Sequence, residues 1–373
     1  MHRSPFVLTG FVLAALGVLL VAVNADTLPR YGARYQQDCN LCHYNPAGGG
    51  QRDLYATTYI VPAEMAIPDY DPDGNALLNP QIGESIVVGA DVRTLFVKSD
   101  KPDSSPVPRR DLENFFEMQG NLYLHLQLDS RFALQMTYGL SQESEVFGLG
   151  YILPANGYVN LGRFVPAFGW RFDDHTRFVR DYLGFFPPNH TDVGLELGIS
   201  PEPVSLTVSL LNGQLGAIQD FDENVAVAAR GMVTLRGDVV SAQVGGSYLN
   251  NRTPAGTSHA GGPFWAFRAG KFTWVGEADI VSEKGAGVSE STVSWITSNE
   301  LAYPLRRGVD LIGTFDFIDP DRDSDGLLIA RAGLGIETMP TPFLKLNALV
   351  NRYILNEGAE NYTQFILQAH IFN

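Results

Sequence analysis

The sequence predicts an all-β chain, a transmembrane antiparallel β-barrel of about sixteen strands entered by a small N-terminal segment that acts as its plug. Three observations carry that expectation. Apolar and polar residues alternate with period two, in runs of about 9–11 residues, the length a tilted strand needs to cross a bilayer. Every second connection between runs is tight, while those in between are mostly longer. The composition sets 38 glycines and 11% aromatic residues beside only 18% charged residues in a chain of 373, an unusual mix for a soluble enzyme.

Taken in order, residues 1–25 read as a secretory signal peptide. His2 and Arg3 make the basic start, Phe6 to Val23 the apolar run, and Val23-Asn24-Ala25 a small-residue cleavage site. Left uncut, the same run would serve as an anchor. Residues 26–83 form a polar, Pro/Gly-rich segment, and residues 84–373 carry the strand pattern.

Cys39-Asn40-Leu41-Cys42-His43 dominates the first segment. Two thiols spaced C-x-x-C with His directly after is the attachment pattern of a c-type haem: each sulfur forms a thioether, and His43 supplies the proximal nitrogen to the iron. A structural zinc site usually needs four Cys/His ligands, and these are the only two cysteines of the chain. A thioredoxin-like redox pair belongs beside a βαβ pattern, which is missing. Attachment takes place outside the cytoplasm, in agreement with an export signal. One covalent haem c would also staple a segment too short for a core of its own. Helical turns are expected over Tyr31 to Gln37 and Arg52 to Tyr59. Met65, the only methionine of the segment, is a candidate sixth ligand. Asp69, Asp71 and Asp73, and again Asp321, Asp323 and Asp325, have the opening spacing of a calcium loop. The twelfth position is Pro80 or Ala332 instead of Glu, so an acidic turn competes with calcium.

Strand runs start near 84, 112, 130, 144, 158, 191, 204, 225, 239, 262, 272, 290, 309, 327, 343 and 362. Tight turns fall at Asp129-Ser130, Pro154–Gly157, Ser200–Pro203, Gly237-Asp238, Arg306–Gly308 and Pro340–Pro342; longer connections span Ser99–Asp111, Gly169–His190, Gly213–Asn224 and Asn251–Gly261. Short turns at one rim and long loops at the other are what a barrel in a membrane requires and a soluble sandwich does not. The longest connection follows the fifth run. Folded into the lumen, its Arg171, Arg177 and Arg180 with Asp173, Asp174 and His175 would set a charged constriction. On the runs themselves, His125 and His370 fall on the lumen face close to the short-turn rim, and each is a further candidate sixth ligand.

Acidic residues outnumber basic ones 41 to 26, for a formal charge of −15. That balance speaks against nucleic acid as a partner. No set of residues reads as a nucleophile or an acid–base pair, so no hydrolytic or transferase site is expected.

Tyr31-Gly32-Ala33-Arg34 followed by Cys39, Cys42 and His43 resembles the aromatic-Ala-Arg stretch before C-x-x-C-H in the fused monohaem cytochrome–porin family of iron-oxidising bacteria, with Gly32 inserted. The resemblance implies an outer-membrane protein of a Gram-negative bacterium, its haem segment on the periplasmic side or in the lumen. It implies electron transfer across that membrane, from an extracellular donor such as ferrous iron to periplasmic soluble cytochromes or other redox carriers. Iron oxidation would then be its only enzymatic character. The competing expectation is a diffusion porin or solute channel in which the haem segment is a plug or redox sensor.

Overall fold

A computed structural model describes residues 29–36, 39–68, 79–102, 113–140, 144–172, 174–183, 191–214, 222–323, 328–356 and 360–373. The predicted signal peptide, Asp69, Asp71, Asp73, Asp173 and Asp325 lie outside the described residues. Helix α1 (Pro29–Tyr35) leads through a short 3-10 turn (Cys39–Leu41) to a π-helix (Ala56–Met65). Pro62 lies inside that π-helix; it has no N–H to donate and its ring crowds the carbonyl four residues back, so the wider winding suits it. Asp53 caps the start, its carboxylate accepting the Ala56 N–H at 2.7 Å.

The strands follow: β1 (Gln81–Ile82), β2 (Ile86–Ser99), β3 (Asn114–Gln127), β4 (Phe132–Gly139), β5 (Glu145–Leu153) and β6 (Gly157–Phe164). After helix α2 (Phe178–Leu183) come β7 (Asp192–Ile199), β8 (Val204–Leu211), β9 (Ala226–Leu235), β10 (Val240–Thr253), β11 (Gly256–Ala269) and β12 (Phe272–Gly285). The last are β13 (Thr292–Arg306), β14 (Val309–Asp319), β15 (Ile329–Thr341), β16 (Leu344–Leu355) and β17 (Tyr362–Phe372). Among the described residues each of the sixteen strands from β2 to β17 pairs antiparallel with its sequence neighbours. The ring closes where β17 meets β2, with His370 opposite Arg93 and Phe372 opposite Asp91. A closed ring leaves no sheet edge exposed.

The expected strand starts agree with the observed ones to within a few residues, with one correction. The predicted long loop Asn251–Gly261 is instead a tight hairpin, since β10 runs to Thr253 and β11 begins at Gly256. Both strands continue above the apolar band, where Asn250, Asn251, Arg252, Thr257, Ser258 and His259 make both faces polar. Pairing persists there after the alternation has gone.

Outward positions are apolar: Leu161 and Leu334 are each 63% exposed and Phe115 70%. Rings gather toward the short-turn end of this band, in Trp265 against Trp274 and Phe272 against Tyr303. Inward positions mix apolar and polar residues. Glu196, Asp316 and Asn351 are fully buried beside Phe264, Ala266 and Ile318. Much of the lumen is therefore packed, and the segment that fills its middle is the connection between β6 and β7.

Candidate functional site

The longest connection folds into the barrel over its described residues 165–172 and 174–183, and it does so as an apolar septum. Phe168, Trp170, Phe172, Phe178 and Val179 are all buried and join one cluster with wall residues such as Phe147, Leu211, Phe264, Ile318 and Tyr353. Carboxylates from three strands accept backbone N–H groups of the segment: Glu145 that of Val165 at 3.3 Å, Glu196 that of Ala167 at 3.2 Å and Glu277 that of Trp170 at 2.6 Å. Gly169, at φ +44°, is required there, because an added Cβ would collide with the Glu277 carboxylate. On the far side Arg177 and Arg331 share Asp316, at 3.3 and 2.7 Å, with all three side chains out of solvent. The predicted charged constriction is corrected accordingly. Arg177 is spent on the wall, and Arg171 donates to the carbonyls of Gly48 and Val165. These cations pin the septum. Phe168, Trp170 and Phe172, aromatic at every second position of a supposed loop, were the overlooked signal.

The N-terminal segment enters the same lumen from the short-turn rim. Arg30 of α1 donates to Glu300 at 2.9 Å and to Glu337, and Arg34 donates to Asp310 at 2.9 Å, all three acceptors being largely buried. Deeper in, Gln51 donates to the Val87 carbonyl at 3.2 Å and accepts from Gln135 at 3.1 Å. Tyr44 stacks on His125, their ring centroids 3.6 Å apart. Arg307 of the β13–β14 turn donates to the carbonyls of Ala63 and Ala66, closing the end of the π-helix.

Between plug and septum lies a cavity of about 1750 Å³, counting its open mouth. Cys39, Cys42 and His43 line it from the plug, and Ala56, Ile60, Val61 and Met65 of the π-helix give it an apolar side. Neither cysteine is in a disulfide. The chain turns back past the thiols through Gly48 at φ +85°, where an added Cβ would sit 3.0 Å from both Cβ and Sγ of Cys39. His43 Nδ1 is buried with no hydrogen-bond partner. Burial, reinforced by Arg52 and Arg171, pushes the His43 imidazole down to about 4, so it is neutral at pH 7. Around the cavity the guanidinium groups of Arg52, Arg93, Arg171, Arg180 and Arg230 outnumber the carboxylates Asp91 and Glu145, in a chain that carries −15 overall. Paired thiols, a neutral imidazole, an apolar wall and a cationic surround fit a covalently held, doubly carboxylated macrocycle.

The other candidates separate. Met65 lines the cavity and packs on Val61, Met339 and Phe372. His370 also lines it, with Nδ1 3.3 Å from Arg93 and Nε2 3.3 Å from Asp91. His125 faces the lumen but is part of the plug's seat, its ring nitrogens 3.1 and 3.0 Å from the side-chain oxygens of Gln135 and Gln127. The Asp323 N–H donates to Asp321 at 3.2 Å, as in an acidic turn, and among the described residues no group of three or more His, Cys, Asp or Glu is gathered for a metal ion. Arg52, Arg93 and Tyr123 were not legible as cavity residues, because only the closed barrel brings them together.

No protein-family model and no curated protein matches the chain. Solved structures do. The outer-membrane expressed OmpT of Vibrio cholerae superposes with a TM-score of 0.56 at 10% identity, covering 79% of this chain and 99% of that one. The anion-selective porin from Comamonas acidovorans gives 0.54 at 11% identity, over 78% and 99% of the two chains. The outer membrane channel DcaP of Acinetobacter baumannii gives 0.54 at 10% identity, over 77% and 97%. In fold, then, the chain is a closed sixteen-stranded antiparallel barrel like those of outer-membrane porins.

Proposed function

We propose that this protein carries electrons across the outer membrane, through one haem c attached to Cys39 and Cys42 and held in the lumen. The observation that supports this best is the position of the C-x-x-C-H residues, in a lumenal cavity bordered by septum residues such as Trp170 and Phe172 and by the plug. When bound, haem c supplies one-electron exchange at its iron. His43, held neutral by desolvation and by the nearby Arg52 and Arg171, would offer the proximal nitrogen, and Met65, which lines the same cavity, is the candidate for the sixth position. Arg52 and Arg93 supply positive charge for carboxylates on the cofactor. The septum excludes water and solutes. The outward apolar band contacts membrane lipid, and residues 26–83 act as the cytochrome unit of the barrel formed by residues 84–373. The donor outside is a reduced metal such as ferrous iron, and the acceptor is a periplasmic redox carrier.

A second reading, an outer-membrane diffusion channel, rests on the likeness to porins over nearly their whole length. Purified protein in liposomes tests both. With an impermeant reductant outside and an oxidised haem protein trapped inside, optical reduction of the intrinsic haem and then of the trapped acceptor is expected. An intrinsic haem that reduces while the acceptor stays oxidised, together with steady ionic current in planar bilayers, would favour the channel.

A further inference from the structure

A second cavity, about 820 Å³ with its mouth counted, opens at the short-turn rim. It shares Tyr31 and Met65 with the lumenal cavity, so a single layer of side chains divides the two. Its border is cationic. Lys271 from the β11–β12 turn and Arg306 and Arg307 from the β13–β14 turn are exposed around it, against one exposed carboxylate, Glu64. The other acids lining it, Asp310 and Glu337, are already engaged by Arg30, Arg34 and Lys345. Arg307 is fixed against the π-helix through Ala63 and Ala66, at 2.9 and 3.0 Å, so this charge is held beside Met65. A local excess of positive charge beside the wall that the two cavities share, in a chain of −15, needs a reason.

We propose that this rim is the docking surface for a soluble redox protein that presents carboxylates around its own exposed cofactor edge. The proposal rests on the electron-transfer reading above and adds the place and charge of the partner. Complementary potentials at such a rim raise encounter rates and fall away with salt, because exposed charges beyond about 10 Å are screened at 0.1 M ionic strength. The cations border a cavity that faces the barrel axis, which suits a protein seated across the mouth better than lipid headgroups along the wall.

The test uses full-length holoprotein in nanodiscs of zwitterionic lipid, with the reduced haem followed optically during reoxidation. Two probes are compared, the ferricyanide trianion and the tris(phenanthroline)cobalt trication, for the native chain and for K271E/R306E; Arg307 is kept because it pins the plug. At low salt the native chain is expected to react faster with ferricyanide, and the charge reversal to slow that reaction about ten-fold while speeding the cobalt probe. High salt should bring the two proteins together. An unchanged ratio of the two rates in K271E/R306E, with its haem spectrum intact, overturns the docking surface. So does a variant that keeps both rates but loses retention on anionic-lipid discs, which would assign these cations to lipid. A native chain with no haem absorbance fails earlier, at the electron-transfer reading itself.

Discussion

His43 is neutral because its half-buried imidazole is desolvated and faces the guanidinium groups of Arg52 and Arg171, and that makes the plug sensitive to acid whenever the imidazole is left without a metal. Its ordinary value near 6.5 falls to about 4 in the folded chain. Between those values the unfolded segment binds the extra proton and the folded one does not. The contribution to stability is therefore complete above about pH 6.5 and is lost as pH falls toward 4, up to roughly 3 kcal/mol. In C39S/C42S, which cannot attach the cofactor, the protection factors for amide exchange over residues 39–66, each corrected for the intrinsic rate at its pH, should be high at pH 7 and fall steeply by pH 4.5; flat protection factors across that window would mean the imidazole is accessible. His125 gives a second prediction. It stacks under Tyr44 and bonds Gln135, which bonds Gln51 in turn. His125→Ala should loosen the plug by about 1–3 kcal/mol, seen as faster proteolysis before residue 81, yet leave the haem spectrum unaltered. A change of spin state in that variant would make His125 a ligand instead.

Among the elements, the septum depends on a small number of buried charges. Asp316 sits between the guanidinium groups of Arg177 and Arg331, which also lie against the rings of Phe172 and Phe178. Removing one member of such a group leaves like charges buried without their shared hydrogen-bonded counterion, a loss of about 3–5 kcal/mol. Asp316→Asn should thus release residues 172–183 while the strand ladder remains, read as a lower melting temperature by near-ultraviolet circular dichroism with far-ultraviolet strand signal retained. Coincident loss of both signals would show that the septum and barrel unfold as one unit. The sequence carried the septum's position, because the fifth connection was the longest. It did not carry its character: Arg171, Arg177 and Arg180 drew the eye as lumen charges, and their partners Gly48, Asp316 and Val165 are mostly far away in the chain. The strands were legible for the opposite reason. Side-chain facing in a strand is set by immediate neighbours with a period of two, and only at the β10–β11 hairpin, where both faces turn polar, did that signal fade.

For the whole molecule, the question is whether the barrel is a conduit for solutes or a sheath around a cofactor. C-x-x-C-H was plain in the sequence, but its cavity could not be, since Arg93 on β2, His370 on β17 and Trp170 in the septum meet only after the ring closes. Inside that ring, residues 165–183 reach β5 and β7 through Glu145 and Glu196, β10 to β12 through Ser247, Trp265 and Glu277, and β13 to β16 through Ser298, Asp316, Arg331 and Tyr353. His175 extends the contact to Arg93 on β2, at 3.3 Å. A partition touching so much of the wall, with the plug beneath it, should pass almost no ions. The barrel owes its own integrity to the closed ladder of backbone hydrogen bonds, which the bilayer enforces, so the partition can be thinned without dissolving the sheet. Each aromatic ring of the septum fills about 150–250 Å² of contact. Replacing Trp170, Phe172 and Phe178 together by alanine should convert a silent protein into one with single-channel current in planar bilayers, while strand content and heat-modifiable migration are kept. If the native chain already conducts as well as the triple variant, the septum is no barrier, the lumen is a solute path, and the haem segment belongs to a channel.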